Sequence, residues 1–488
     1  MLTTGRKMIC TRVKKITREN VVKVIGETIG TFNMNKAQIN YLYDYYRGIQ
    51  PVLNRVKKIR PEICNKIVEN RALEIVSFKT AYICGEPIQY VSRDGKEENS
   101  DYVSLLNSYM AYESKETKDK ELFDWQHICG TSYRMITPSE TADDETPFDI
   151  ITVDPRECYV IYSADIKHRR LAGVLLQVNE DGEQYYSVFT DDSYFEIKNS
   201  TVINERSPLT QATALAQAKT LEDVDWSQTG NYLGIPIIEY PANNARMGAF
   251  EPVMPLLEAI NELDSNRIDG VSQFIQSLIV LYNCQLPDNT DKADIREKGI
   301  IELASVSENK ADIKILSEQL NQTETQTLKD DLYRSVLTIV GMPSQSDGST
   351  SDSSNNGAVI MRNGWTQAES RAKDSEMMFK LSEKEMLRYV LKIIKAKNEK
   401  FNLNLIDIDY RFTRRQYDAL LTKAQVLTTL LATDKVAPRL CFNVCGLFID
   451  PEEAAKESAE YIESISQKEN VTVADEFTEM ETDVLNDE

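Results

Sequence analysis

Apolar positions along this chain recur at two different periods, and the switches between them outline its organisation. Residues 17–30 and 35–47 read as short helices, with Asn35 a candidate N-cap of the second, which ends in the cluster Tyr41, Tyr43, Tyr45 and Tyr46. Pro61 then opens a stronger helix, in which Ile63, Ile67, Ala72 (or Leu73), Val76 and Tyr82 fall at helical spacing. Gly85 ends it and Pro87 forbids its continuation. Ile88–Val91 is a strand running into an Asp94-Gly95 turn, and residues 100–129 predict two more helices. From about residue 131 the period changes to two. Tyr133–Thr137, Phe148–Val153, Cys158–Tyr162, Leu171–Val178, Gln184–Phe189 and Tyr194–Ile197 are short β-rich runs separated by turn residues, which predicts an antiparallel meander. Ile235–Tyr240 is a further strand.

The second half returns to helical spacing. Val253, Leu256, Leu257, Ile260, Leu263, Val271, Phe274, Ile275 and Leu278 keep an apolar stripe over 251–281, a helix of about 45 Å. Residues 282–316 read as a compact β-containing insert with a turn at Pro287-Asp-Asn289. A second helix covers 321–341, with Leu328, Leu332, Val336 and Ile339 on its stripe and Gly341-Met-Pro343 as its stop. Residues 344–356 contain no apolar side chain, the composition of a flexible loop. A third helical stretch over 357–398, a strand over 405–412 and a helical group over 416–465 complete the pattern. An α+β fold follows.

Length and charge narrow the function. A chain of 488 residues suggests roughly three structural units. The net charge is −21, which disfavours a free-standing protein that grips nucleic acid, because phosphate affinity comes mostly from Lys and Arg. The charge is polarised: residues 1–60 carry +10, and residues 451–488 carry −11. Residues 1–16 are expected to form a basic arm and 466–488 an acidic, disordered tail. The opening residues, Met-Leu-Thr-Thr-Gly-Arg-Lys, contain no apolar run of the length a signal peptide needs, and the best apolar run, Leu278–Tyr282, is far too short for a membrane span. Eight scattered cysteines give no disulfide framework, so the reading is a soluble protein of a reducing cytoplasm.

Catalytic signatures are missing. There is no phosphate-cradling loop, no nucleophile elbow and no metalloprotease helix. Neither His127 nor His168 has a second ligand at a metal-binding spacing, and Cys441 and Cys445 lack a second pair. Both thiols read as small buried hydrophobes, and His127 as structural. The expectation is no enzyme, no cofactor and no metal.

Four stretches together resemble the portal proteins of tailed bacteriophages over about 17–455. The first is Asn65-Lys-Ile-Val-Glu-Asn70 leading to Lys79-Thr-Ala-Tyr82 and Gly85-Glu-Pro87-Ile88, similar to the family's N-terminal helix and Gly-x-Pro turn. The second is Val153-Asp-Pro155-Arg-Glu-Cys-Tyr-Val-Ile-Tyr162, like its Pro-containing strand pair. The third is helix, insert, helix, polar loop and helix across 251–398, with Asn356-Gly-Ala-Val-Ile360 opening the last helix. The fourth is Ala437–Phe448 followed by Asp450-Pro-Glu452, like the C-terminal helical group.

The resemblance implies a ring of usually twelve copies at one capsid vertex, with double-stranded DNA passing non-specifically through its channel during packaging and ejection. It implies stem helices at 251–281 and 321–342, a clip at 282–320, a wing formed by 17–250, and a long helix with a further wing strand over 357–412. A crown would span 413–465. The tunnel loop would be 343–356, with Gln345, Ser346, Asp347, Ser349, Thr350, Ser351, Asp352, Asn355 and Asn356 facing the channel and DNA. That loop has no Lys or Arg, so a positively charged grip is not implied. Implied partners are the terminase large subunit, a head–tail adaptor, and the major capsid and scaffolding proteins. The implied location is the virion, after assembly in the bacterial cytoplasm. A negative or neutral lining fits a channel that must pass DNA without trapping it. Two readings compete: a cytoplasmic α+β enzyme with an unrecognised site, and a head-completion or scaffold-type interaction protein.

Overall fold

The computed structural model describes residues 5–58, 61–93, 97–139, 145–178, 182–206, 234–275, 278–282, 284–285, 304–305, 312–316, 322–343, 364–398, 400–412, 414, 420–433, 435–445, 447–448, 451 and 453–465. Helices and sheets mix as expected. The chain divides into two compact units. One comprises Met1–Leu42, Val76–Ala249 and Gln345–Glu488, the other Tyr43–Ile75 and Phe250–Ser344.

Two larger sheets carry most strands of the first unit. A six-stranded sheet has the order β1 (Cys10–Thr11), β5 (Cys158–Ser163), β6 (Arg170–Val178), β7 (Gln184–Thr190), β8 (Tyr194–Lys198) and β9 (Thr201–Arg206). β1 runs parallel to β5, and the other neighbours are antiparallel. A three-stranded sheet has the order β10 (Ile237–Pro241), β3 (Thr131–Pro138) and β4 (Phe148–Val153). The expected single meander is therefore split, with β3 and β4 joining β10. Alternation along β5 shows why. Tyr159 and Ile161 point into one core with Val174 and Phe195, while Cys158 and Val160 point into another with Tyr133, Val153 and Ile237. A strand buried on both faces needs a layer on each side, and period-two spacing alone cannot say which strands supply it.

The two short helices expected over 17–47 are one helix, Val21–Tyr46. Its residues Val21, Val24, Ile25 and Phe32 cover the six-stranded sheet, and Phe32 stacks on Tyr159 with ring centroids 4.6 Å apart. Asn35 is no cap. It is buried in mid-helix, where its amide oxygen accepts from the Lys7 backbone (3.0 Å) and its amide nitrogen donates to the Lys7 carbonyl (2.8 Å). Residues 5–16, read as a basic arm, are built into the fold: Arg6, Ile9, Thr11 and Ile16 are buried, and Cys10–Thr11 extends the sheet.

The larger core of this unit gathers around helix Trp365–Lys397, whose Phe379, Met386, Leu387, Val390 and Ile394 pack with Leu122, Phe123, Ile136, Phe148, Ile238 and Tyr240. Helices Glu97–Tyr112 and Lys115–Cys129 match the expected pair. β2 (Gln89–Ser92) pairs antiparallel with β15 (Ile408–Arg411), joining the two strands expected around 88–91 and 405–412. Helices Leu420–Leu431 and Pro438–Cys445 meet through Leu427, Cys441, Phe442 and Cys445, and 453–465 is helical. The acidic tail 466–488 lies outside the described residues, as do 357–363 of the third helical stretch.

The second unit carries a helix pair and its insert. A 3₁₀ turn at Glu251–Val253 leads into helix Met254–Ile275. The helix expected to reach 281 stops there, because Leu278–Tyr282 is strand β11, antiparallel to β14 (Asp312–Leu316). A run of Leu-Ile-Val-Leu-Tyr satisfies either period, and pairing decides it. β12 (Cys284–Gln285) and β13 (Ala304–Ser305) add a second short pair, so the insert contains β structure as expected. Helix Gln322–Val340 follows. Gly341 ends it at φ +75°, the left-handed region that glycine tolerates, and the Gly341 and Met342 amides both donate to the Leu337 carbonyl at 2.9 Å.

Candidate functional site

Helices Met254–Ile275 and Gln322–Val340 run antiparallel. Asp264 pairs with Lys329 at 2.9 Å and Arg267 donates to Gln326 at 2.7 Å, so rising numbers on one helix meet falling numbers on the other. Val253 of the 3₁₀ turn and Met254, Leu257 and Ile260 of the first helix are buried, as are Val336, Leu337 and Val340 of the second. Pro252 and Pro255 sit in the first turns, where a missing amide hydrogen costs nothing.

An extended segment is strapped along the first helix. The backbone amides of Asn65, Ile67 and Glu69 donate to the side chains of Asp269 (2.7 Å), Ser265 (3.0 Å) and Asn261 (2.8 Å). The geometry is a match of two periods: two residues of extended chain advance about 6.7 Å, and four residues of helix advance about 6 Å. Alternate amides therefore meet a row of acceptors at i, i+4 and i+8. The helix expected from Pro61 begins only at Arg71, since residues 65–69 hydrogen-bond outward. Asp269 also pairs with Arg55 (2.7 Å) and Lys57 (2.5 Å). Burial alone would raise its pKa, but hydrogen bonds from Lys57, from the Asn65 backbone and side chain, and from Arg55 push it down to about 2. At the other end, Lys329 bridges Glu69 (2.6 Å) and Asp264. Arg71 lies over the Tyr333 ring at 4.0 Å.

The outward faces of the pair are not purely polar. Leu328 and Ile339 are each 50% exposed and lie eleven residues apart, three turns along one line of the helix. On the other helix Ile268 and Val271 are 43% and 44% exposed. The same two helices also carry exposed acids, among them Glu262, Glu324, Asp330 and Asp331.

In the first unit, helix Trp365–Lys397 is fixed by a buried ionic cluster. Glu383 takes hydroxyl hydrogen bonds from Tyr90 (2.6 Å) and Tyr240 (2.7 Å) and pairs with Lys115 (2.9 Å). Asp119 pairs with Lys115 (2.6 Å) and Arg134 (2.5 Å), and Arg134 approaches Glu383 at 3.6 Å. All four charged side chains are at most 4% exposed. Burial works against ionised Glu383, but the Lys115 and Arg134 charges and both tyrosine hydroxyls hold its pKa below the usual carboxylate range. His127 is buried beside Thr80 (3.1 Å), and desolvation, reinforced by Lys79, pushes its pKa down to about 3. It is therefore neutral near pH 7. Among the described residues, no group of three or more His, Cys, Asp or Glu side chains is arranged to hold a metal ion. No described helix is long and apolar enough to cross a membrane.

Gln345, Ser346, Asp347, Ser349, Thr350, Ser351, Asp352, Asn355 and Asn356 all lie outside the described residues. Their flanks are the Gly341 stop and Gly364, at φ +81°, from which helix Trp365–Lys397 starts. Sequence reasoning missed the strap and the ionic cluster. The strap left a readable signal, since Asn261, Ser265 and Asp269 are polar at i, i+4 and i+8 on a buried helix face. The cluster left none, because its four charges come from three separate elements.

A family model described as "Phage portal protein, SPP1 Gp6-like" matches residues 26–468. The chain belongs to this portal family. No curated protein matches it. Among solved structures it is similar to a chain in the neck of an empty GTA particle computed with C6 symmetry, at 10% identity and TM-score 0.44, over 78% of this chain and 90% of that one. It is also similar to a chain in the virion of a native gene transfer agent particle, at 10% identity and TM-score 0.40, over 84% and 94%. Portal membership gives the antiparallel helix pair and its β insert a context that no single motif supplies.

Proposed function

We propose that the chain is the subunit of a portal ring, usually of twelve copies, that forms the DNA channel at one capsid vertex of a phage-like virion. The portal family match over 26–468 carries this reading. In it, helices 254–275 and 322–340 are the stem, the β-paired insert between them is the clip, and the loop at 343–356 faces the channel. The helices and sheets of 17–250 form the wing, 357–412 supplies the long helix and a further wing strand, and the helical group over 413–465 is the crown. The ring passes double-stranded DNA without sequence preference and does no chemistry of its own. It docks the terminase large subunit during packaging and a head–tail adaptor afterwards, within a shell of capsid and scaffolding proteins.

Leu328 and Ile339 support the ring reading, because a line of half-exposed apolar side chains on a stem helix is suited to burial against a neighbouring copy. Native mass spectrometry and negative-stain imaging of purified protein at micromolar concentration test it. Rings are expected, and Leu328→Glu should shift the population towards smaller species. Monomers alone, even after co-expression with scaffolding protein, would refute it.

A further inference from the structure

A groove of about 770 Å³ opens in the first unit between the β5–β6 turn, the start of β10 and one face of helix Trp365–Lys397. Its charge is opposite to that of the protein. Six Lys and Arg residues line it (Lys167, Arg169, Arg170, Arg246, Arg388 and Lys392) against three carboxylates, in a chain of net charge −21. One of those carboxylates, Glu239, is committed to Arg246 in a buried pair at 2.7 Å. A second, Glu385, lies between Arg170 and Arg388. Arg169 pairs with exposed Asp165 at 3.3 Å, a surface contact of little strength. The groove is also apolar in part: buried Ile235 and Ile238 form its floor, Met378 and Leu381 line it with Leu381 62% exposed, and Ile166, on the adjoining turn, is 95% exposed. A basic rim over exposed apolar side chains is complementary to a segment that alternates carboxylates with hydrophobes.

The chain contains such a segment. Residues 466–488 carry eight Asp and Glu and one Lys, and between the acids stand Phe477, Met480, Val484 and Leu485. Twenty-three residues reach up to about 75 Å when extended, ample to cross a domain. We propose that the groove is a docking site for this acidic C-terminal segment. Docking would neutralise a basic concavity on an acidic protein and cover Leu381 and Ile166 in the same step. The basic residues provide attraction that falls with salt, and the apolar ones provide the part that does not.

The test uses the full chain. Cleavage after Phe477 by chymotrypsin reports release of the segment, and hydrogen exchange over 164–170 and 378–392 reports exposure of the groove. Lys167→Glu with Arg169→Glu, both on the exposed turn, should speed cleavage about tenfold, as should raising salt from roughly 50 mM to roughly 500 mM. Glu476→Gln with Glu479→Gln and Glu481→Gln should raise exchange in both groove segments. These tail substitutions touch no described core residue, so a folding defect in the groove variant would not leave the question open. Unchanged exchange in the tail variant, or cleavage as slow in the charge-reversed groove as in the wild type, would overturn the proposal.

Discussion

Replacing Glu383 by Gln is the most direct probe of how the long helix is held. The side chain keeps its shape, but the cluster loses one of two negative charges while Lys115 and Arg134 stay buried. With Asp119 alone facing two cations, the site carries one uncompensated positive charge. Breaking a buried ion pair on one side typically costs about 3–5 kcal/mol, and Gln can satisfy only one of the two tyrosine hydroxyls as an acceptor. Urea unfolding of Glu383→Gln should therefore show a loss of about 3–5 kcal/mol. Adding Lys115→Met removes the excess charge, so the double variant should be more stable than the two single losses added together, by about 1 kcal/mol or more. The pH dependence has a definite sign. A carboxylate held below its ordinary pKa stabilises the fold above the unfolded value, about 4.3, and stops doing so as pH falls through its folded value. The gap between wild type and Glu383→Gln should thus be full near neutrality and begin to close only as pH falls below that unfolded value. A loss under about 1 kcal/mol, strict additivity with Lys115→Met, or a gap constant with pH would refute the reasoning.

Asp269→Ala should release the strap without unfolding the rest, raising hydrogen exchange at the Asn65 and Ile67 amides. Because the Asp269 pKa is pushed down to about 2, acidification of the wild type should reproduce that release only as pH falls from about 4 towards about 2. Protection at Asn65 unaltered by the substitution would show that Asp269 does not hold the strap. In the polar loop, Asp347→Lys with Asp352→Lys should slow DNA translocation in a reconstituted packaging assay, most at low salt, and deletion of four loop residues should leave ring assembly intact. Wild-type packaging rates in both variants would make the loop a connector.

The sequence by itself determined the order of elements. Helical spacing marked helical stretches over 251–281, 321–341 and 357–398, within which the helices 254–275, 322–340 and 365–397 form, alternation marked the strands from 131 to 198, and the same order of motifs carried the portal resemblance. These features are legible because each depends on a local period or on a turn residue such as Gly341. Tertiary structure decided whatever depended on a distant partner. Asn35 could be read as a cap until the Lys7 backbone supplied both partners for its amide. Leu278–Tyr282 fitted a helix until Asp312–Leu316 paired with it. Residues 65–69 fitted a helix until three side chains on helix 254–275 took their amides. The ionic cluster brings Lys115, Asp119, Arg134 and Glu383 together from positions up to 268 residues apart, and beyond the i,i+4 pair of Lys115 and Asp119 no spacing rule connects them. Local periodicity fixes what each segment can be, whereas burial on both faces and long-range hydrogen bonding select which of those states the folded chain keeps.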